Sequence, residues 1–283
     1  MSITQLMALT GVLAAGGGGL SGAAFESLLV GGGGGAGTNF YAQYRDAGGG
    51  GGAQVVSQTN QTIAGPYTIQ VGEAGQGDTD SSGATRRGSD GGRTTFNGGT
   101  AKAGGCGFSH APTNLPWFLS SYTYNPTVQG GGGGVSNVRP SITGETYAGS
   151  TSSGFSTSPS DTGGGAGGAA TGHGSGAGPG VSSSITGSSV EYGTGGDGFH
   201  GTPSTFGSGG GSTGTTNAIG RNGASGVLYV RLSGVSVDQA TIDLQLSSAS
   251  NMTTTVSAVG SDTLIEFKPT TSTTVATVTW TPV

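Results

Sequence analysis

Uninterrupted glycine is the feature that most limits what this chain can fold into. Between Leu28 and Leu232 runs stand at Gly31–Gly35, Gly48–Gly52, Gly130–Gly134, Gly163–Gly165 and Gly209–Gly211, with a looser tract from Gly172 to Gly180. One such run would read as a flexible linker. Collagen is excluded, because a triple helix needs glycine strictly at every third position. Several runs set among β-like pieces point instead to packed threads of the polyproline-II type, with three residues per turn and a rise of about 3.1 Å per residue. These threads make no internal hydrogen bonds, so their N–H and C=O groups must pair with neighbouring threads. Glycine is required there because a Cβ would hold the threads apart.

Composition supports this reading. Of 283 residues, 64 are Gly, 36 Ser and 39 Thr; 31% are hydrophobic and 8% charged. Globular domains average roughly 45–50% and 25%. So little apolar surface normally leaves a chain disordered. Disordered chains, however, carry high charge, and this one has a net charge of −5. Its aromatics lie nearly all outside the glycine runs. The expectation is order imposed by backbone contacts, with a core of peptide groups in place of a conventional oily one. Cys106 is the single cysteine, which excludes an intrachain disulfide. No apolar stretch approaches the roughly 20 residues of a membrane span. The first basic residue is Arg45, too late for the positive start of a secretory signal. Lys and Arg are scattered, only Arg86 and Arg87 being adjacent, which argues against a nucleic-acid partner.

Glycine density divides the chain into residues 1–27, 28–234 and 235–283. Of the 64 glycines, 61 precede residue 226. Residues 1–15 are predicted helical: Ser2 and Gln5 have capping-box spacing, Ile3, Leu6, Met7, Leu13 and Thr10 share a side, and Gly16 is a stop. A helix this short is marginal alone, so its apolar side docks on the body or on a partner subunit. In the middle part, Ser141-Ile-Thr-Gly-Glu-Thr-Tyr-Ala-Gly149 echoes Ser184-Ile-Thr-Gly-Ser-Ser-Val-Glu-Tyr-Gly193. The repeat predicts a polar turn and a strand that return the chain to the glycine layer. Short strands are expected over Tyr67–Val71, Arg93–Phe96 and Val227–Leu232. In the tail, Ile242, Leu244 and Leu246 alternate with polar residues, as do Ala276, Val278 and Trp280, a strand pattern. Four strands in so few residues are marginal alone, so the tail leans on the glycine body or forms a homotrimer. The fold class is therefore irregular all-β: a polyglycine-II thread bundle with short strands, a short N-terminal helix and a small C-terminal β module.

Four pieces together resemble the glycine-rich domain of bacteriophage tail-fibre and tail-tip proteins. They are Leu28-Leu-Val-Gly-Gly-Gly-Gly-Gly-Ala-Gly37, Tyr67-Thr-Ile-Gln-Val-Gly72 with Glu-Ala-Gly-Gln-Gly77, the Ser-Ile-Thr-Gly…Tyr repeats, and Gly220-Arg-Asn-Gly-Ala-Ser-Gly-Val-Leu-Tyr-Val-Arg-Leu232. More distantly, the layout is similar to the polyglycine-II adhesins of T-even-like phages, in which variable loops between threads contact the bacterial receptor. The resemblance implies a virion protein of the tail fibre or tail tip. Its partners would be other tail proteins and a bacterial surface receptor, an outer-membrane protein or a glycan. A capsid decoration or head-fibre protein is the alternative. Residues 1–27 and 235–283 depart from the pattern, and either could attach the chain to the particle.

Aromatic clusters supply the candidate receptor contacts, since rings give large contact area at low entropy cost. Trp117, Phe118, Tyr122 and Tyr124 lie in a segment stiffened by Pro112, Pro116 and Pro126. Phe40, Tyr41 and Tyr44 form a second cluster, and Phe199, His200 and Phe206 a third. Covering the glycine bundle is the competing role for each. Catalysis finds little support. The histidines are His110, His173 and His200, and no G-x-S-x-G elbow follows a strand. No two of the dispersed carboxylates stand out as a glycosidase pair, and G-x-G-x-x-G matches arise by chance at this glycine content. Cys106 reads as an inert filler, and Asp78 and Asp80 as turn formers. No cofactor or metal is expected.

Overall fold

The computed structural model describes residues 20–37, 49–79, 88–107, 178–196, 203, 205–211 and 219–283. Two five-stranded sheets face each other. The first has the order β10 (Met252–Val259), β11 (Asp262–Pro269), β8 (Val227–Leu232), β1 (Ala24–Val30), β2 (Val55–Thr62). The second runs β5 (Gly99–Ala101), β4 (Thr94–Phe96), β3 (Tyr67–Val71), β12 (Ala276–Trp280), β9 (Leu246–Ser250). Every pairing is antiparallel. A hairpin of β6 (Val181–Ser183) and β7 (Val190–Tyr192) stands apart from both. Strand β8 is an almost continuous apolar run because both its faces are covered: Leu228, Val230 and Leu232 join the core between the sheets, and Val227 and Tyr229 join a cluster under the hairpin. In β12, Ala276, Val278 and Trp280 are buried while Thr277 and Thr279 stay half-exposed, which is the period of two its sequence shows. Trp280 is fully buried beside Tyr67, Phe96 and Phe267. Its indole N–H donates to Gln245 Oε1 at 2.9 Å.

At one end of this sandwich the strands run on into glycine threads. β1 continues into 31–37, β3 into 72–78 and β5 into 102–107, while 49–54 leads into β2, 88–92 into β4 and 219–226 into β8. Thread 31–37 occupies the centre. Its N–H groups point in turn to three neighbours: Gly31 and Gly34 donate to Gln54 and Gly51, Gly32 and Gly35 to Gly92 and Ser89, Gly33 and Ala36 to Ala224 and Arg221. Its carbonyls accept from three others: Gly32 and Gly35 from Gly104 and Gly107, Gly33 and Ala36 from Gly75 and Asp78, and Gly34 from Gly210. The partner changes at each residue and recurs after three, the screw of polyglycine II.

The six neighbours also bond to one another in a closed ring. Around it, Gly51 donates to Gly105 (2.7 Å), Gly91 to Gly104 (3.1 Å), Gly92 to Glu73 (2.8 Å), Gly223 to Gly75 (2.8 Å), Ala224 to Ser208 (2.8 Å) and Gly50 to Gly210 (2.7 Å). The result is a hexagonal lattice of seven threads. Register shows that the centre donates to the threads antiparallel to it and accepts from those parallel to it. A Cβ on Gly32, Gly33, Gly34 or Gly35 would sit 1.8–2.0 Å from a carbonyl oxygen of a neighbour, so close approach makes glycine obligatory there. Thr94 pins the change from sheet to lattice. Its hydroxyl donates to Val30 O at 2.7 Å and accepts from Gly72 N at 3.1 Å.

Several expectations change. The peptide core exists, but a conventional apolar core stands beside it, built from residues such as Phe25, Leu29, Ile69, Phe96, Ile265, Phe267 and Trp280. Few apolar residues are needed because the sheets concentrate them at one end. The stretch expected as a strand around Ile242 is instead a helix, α1 (Gln239–Gln245). Asp238 caps it, its carboxylate accepting from Thr241 N at 2.8 Å, and the buried Ile242 and Gln245 are three apart while Leu244 is 64% exposed. Period two and period three coincide too closely over six residues for alternation alone to separate them. Asp78 belongs to a thread and not to a turn. Four strands do follow α1, and the step in glycine content near Gly234 is no break in bonding, since β11 pairs with β8 and β12 with β3. The expected helix over residues 1–15 lies outside the described residues.

Candidate functional site

The far end of the lattice gathers chain segments. One layer of bonds closes it: Ala36 donates to Arg221, Asp78 to Ala36, Gly220 to Asp78, Gly107 to Gly35 and Gly88 to Gly107. From this layer the chain departs at residue 37 and returns at 49, departs at 79 and returns at 88, and departs at 211 and returns at 219. The longest intervening segment, 108–177, also departs here, after Gly107. It rejoins at Gly178, whose carbonyl accepts from Gly195. Another departs after Gly196, which donates to Gly50 O, and returns at Thr205 on the sandwich side. The opposite pole of the molecule holds Leu20, whose N–H donates to Val283 O.

These roots bear on the aromatic candidates. Phe40, Tyr41 and Tyr44, then Trp117, Phe118, Tyr122 and Tyr124, and Phe199 and His200 all lie outside the described residues. The structure therefore places their points of attachment and not their rings. Phe206 is described. It is half-buried and packs on the Tyr192–Tyr229 cluster. Cys106 is fully buried, with its N–H donating to Asp90 Oδ1, as a filler would be.

Sequence reading did not find a groove beside thread 219–226. It is open, about 1050 Å³ in volume, and runs from Thr79 and Ile219 at the lattice end down to Tyr229 at the sandwich. The floor is apolar and aromatic. Tyr192 and Tyr229 pack with ring centroids 6.1 Å apart, and Val190 and Phe206 lie against them. Tyr229 donates to Glu266 Oε1 at 3.2 Å, and Lys268 Nζ pairs with Glu266 Oε2 at 2.9 Å. Burial pushes the Tyr229 hydroxyl far above the ordinary tyrosine range, with Tyr192 and Glu266 adding to the rise. Burial raises Tyr192 as well, against hydrogen bonds to Tyr229 and Thr186. Both tyrosines are thus neutral hydroxyl bearers at physiological pH. The available signal was the Ser-Ile-Thr-Gly…Tyr repeat, whose turn supplies Thr186 and whose strand supplies Tyr192. Among the described residues no three His, Cys, Asp or Glu are grouped to hold a metal ion.

A two-sheet sandwich that runs into a seven-thread polyglycine lattice defines a class of β protein in which backbone hydrogen bonds do the stiffening. The chain belongs to the glycine-rich domain family, whose model matches residues 20–233. That span holds the whole lattice, while α1 and β9–β12 lie beyond it. No curated protein and no solved structure matches the chain.

Proposed function

We propose that this chain is a non-enzymatic receptor-binding adhesin of a bacteriophage tail fibre or tail tip. The observation that carries the reading is the polarity of the lattice: four segments, among them the two that hold Phe40 to Tyr44 and Trp117 to Tyr124, leave it from one end, opposite Leu20 and Val283. Sequence can vary in such segments without cost to the threads, because no thread glycine is altered. The lattice holds their roots in a fixed arrangement, so less ordering entropy opposes binding. Several copies per particle would multiply a modest single-site affinity. Residues near Leu20 and Val283 would face other tail proteins.

Antibody-gold labelling of intact particles, with adsorption measured for Trp117→Ala/Tyr122→Ala, tests this. Gold at the tail or fibre end, with host adsorption lost while the purified variant keeps its melting temperature, is the expected result. Gold over the capsid would move the protein to a decoration or head-fibre role. Undiminished adsorption would remove these rings from the receptor contact.

A further inference from the structure

We propose that the groove between the β6–β7 hairpin and thread 219–226 is a binding site for a neutral saccharide. Its chemistry selects the ligand class. The floor offers the apolar surface of Tyr192, Tyr229 and Phe206, while the walls carry the amide of Gln76 and the hydroxyls of Thr186 and Thr205, which already bond to Ser188 O and Ser208 Oγ and keep lone pairs to accept from a ligand. A sugar ring has the same division, with C–H faces for an apolar floor and hydroxyls that both donate and accept at its rim. Hydroxyls and amides on the protein match that double capacity. A charged ligand finds less of a match, because Arg221 is the one charged residue among the lining residues and the half-buried Glu266 beneath the floor is already engaged by Tyr229 and Lys268. The volume of about 1050 Å³ and the open mouth suit a short stretch of a longer glycan entering from the side. Concavity with an apolar floor and a few convergent polar groups is the general form of a small-ligand site.

Rigidity also favours binding. One wall is thread 219–226, held by Gly223 N to Gly75 O and Ala224 N to Ser208 O, both at 2.8 Å, and by Gly77 N to Asn222 Oδ1 at 2.8 Å. The wall is preformed, so a sugar would not have to order it. The site stands independently of the adhesin reading, since it is tested on the purified chain and not on particles.

The test is saturation-transfer NMR of the full chain with glucose, galactose, N-acetylglucosamine and lactose at millimolar concentrations. Ala224→Arg serves as the blocking variant, because Ala224 lines the groove from the thread and is only half-buried. Thr95→Arg, on the outer face of the second sheet, is the control. Saturable transfer from at least one sugar, weakened at least tenfold by Ala224→Arg and unchanged by Thr95→Arg, is expected. Absence of saturable transfer from all four would overturn the proposal, as would binding that survives Ala224→Arg in a folded variant. If Ala224→Arg unfolds the chain, Ile219→Arg at the exposed mouth replaces it with the same two outcomes. New protease cleavage within 80–87 or 212–218 in a folded blocking variant would show the groove filled by the chain itself, and would likewise overturn the assignment.

Discussion

Gly34→Ala asks whether the lattice carries stability or merely fills space. An added Cβ would lie 1.9 Å from Gly105 O and 2.4 Å from Gly105 C. Neither atom belongs to a flexible side chain, so thread 102–107 must move away from the centre by more than about 1 Å to reach the usual limit of hydrogen-bond and contact geometry. That displacement strains bonds that hold thread 102–107, from Gly51 N to Gly105 O (2.7 Å), Gly104 N to Gly32 O (2.8 Å) and Gly107 N to Gly35 O (2.8 Å). Each is worth about 1 kcal/mol net, and a buried group left unpaired costs about 1–3 kcal/mol, which gives a loss of about 4–6 kcal/mol. Alanine restricts the unfolded chain and returns about 0.4–1 kcal/mol. The net loss is about 3–5.5 kcal/mol, or a fall in Tm of about 10 °C for a chain of this size. Thermal and urea unfolding of Gly34→Ala should show it. Gly65→Ala is the control, with nothing within 4 Å of its added Cβ and an expected change within about 0.5 kcal/mol. A Gly34→Ala variant within about 1 kcal/mol of the parent would refute the claim that lattice packing requires glycine.

Two further outcomes test the buried polar groups. Tyr229 has its pKa raised, so the folded chain keeps a proton that the unfolded chain releases near pH 10. Its contribution is whole below about pH 10 and is lost as pH rises beyond that. Urea titrations from pH 8 to 11 should show stability falling, with a shallower fall in Tyr229→Phe and a residual slope from Tyr192. Gln245→Leu leaves the buried Trp280 N–H without its acceptor. A loss of about 1–3 kcal/mol is expected in denaturant unfolding, whereas an unchanged midpoint would show that the bond is dispensable.

Much of this fold was legible residue by residue. The glycine runs 31–35 and 209–211, and the described part of 48–52 from Gly49 on, announced threads because only backbone without Cβ can approach backbone so closely. Tyr67–Val71 and Val227–Leu232 were bounded correctly because their apolar pattern and flanking glycines act locally. The helix at Gln239–Gln245 was not legible, since six residues of alternation fit either period and the choice is made by Asp238 and by the pocket that receives Ile242. Nor was the groove, whose floor joins Tyr192 to Tyr229 across 37 positions of sequence.

The sequence by itself determined that this chain must satisfy its glycines through neighbouring threads, and that Cys106 forms no disulfide within the chain. It did not determine which thread sits at the centre. That follows from the order of β1 between β2 and β8, and from three threads arriving from each of the two sheets, to which 205–211 is added. Polyglycine threads carry no side chains to distinguish one partner from another, so lattice position is assigned by the strands that deliver them. The same delivery places the ends of the described threads at residues 37, 49, 79, 88, 211 and 219 at one pole and leaves Leu20 with Val283 at the other.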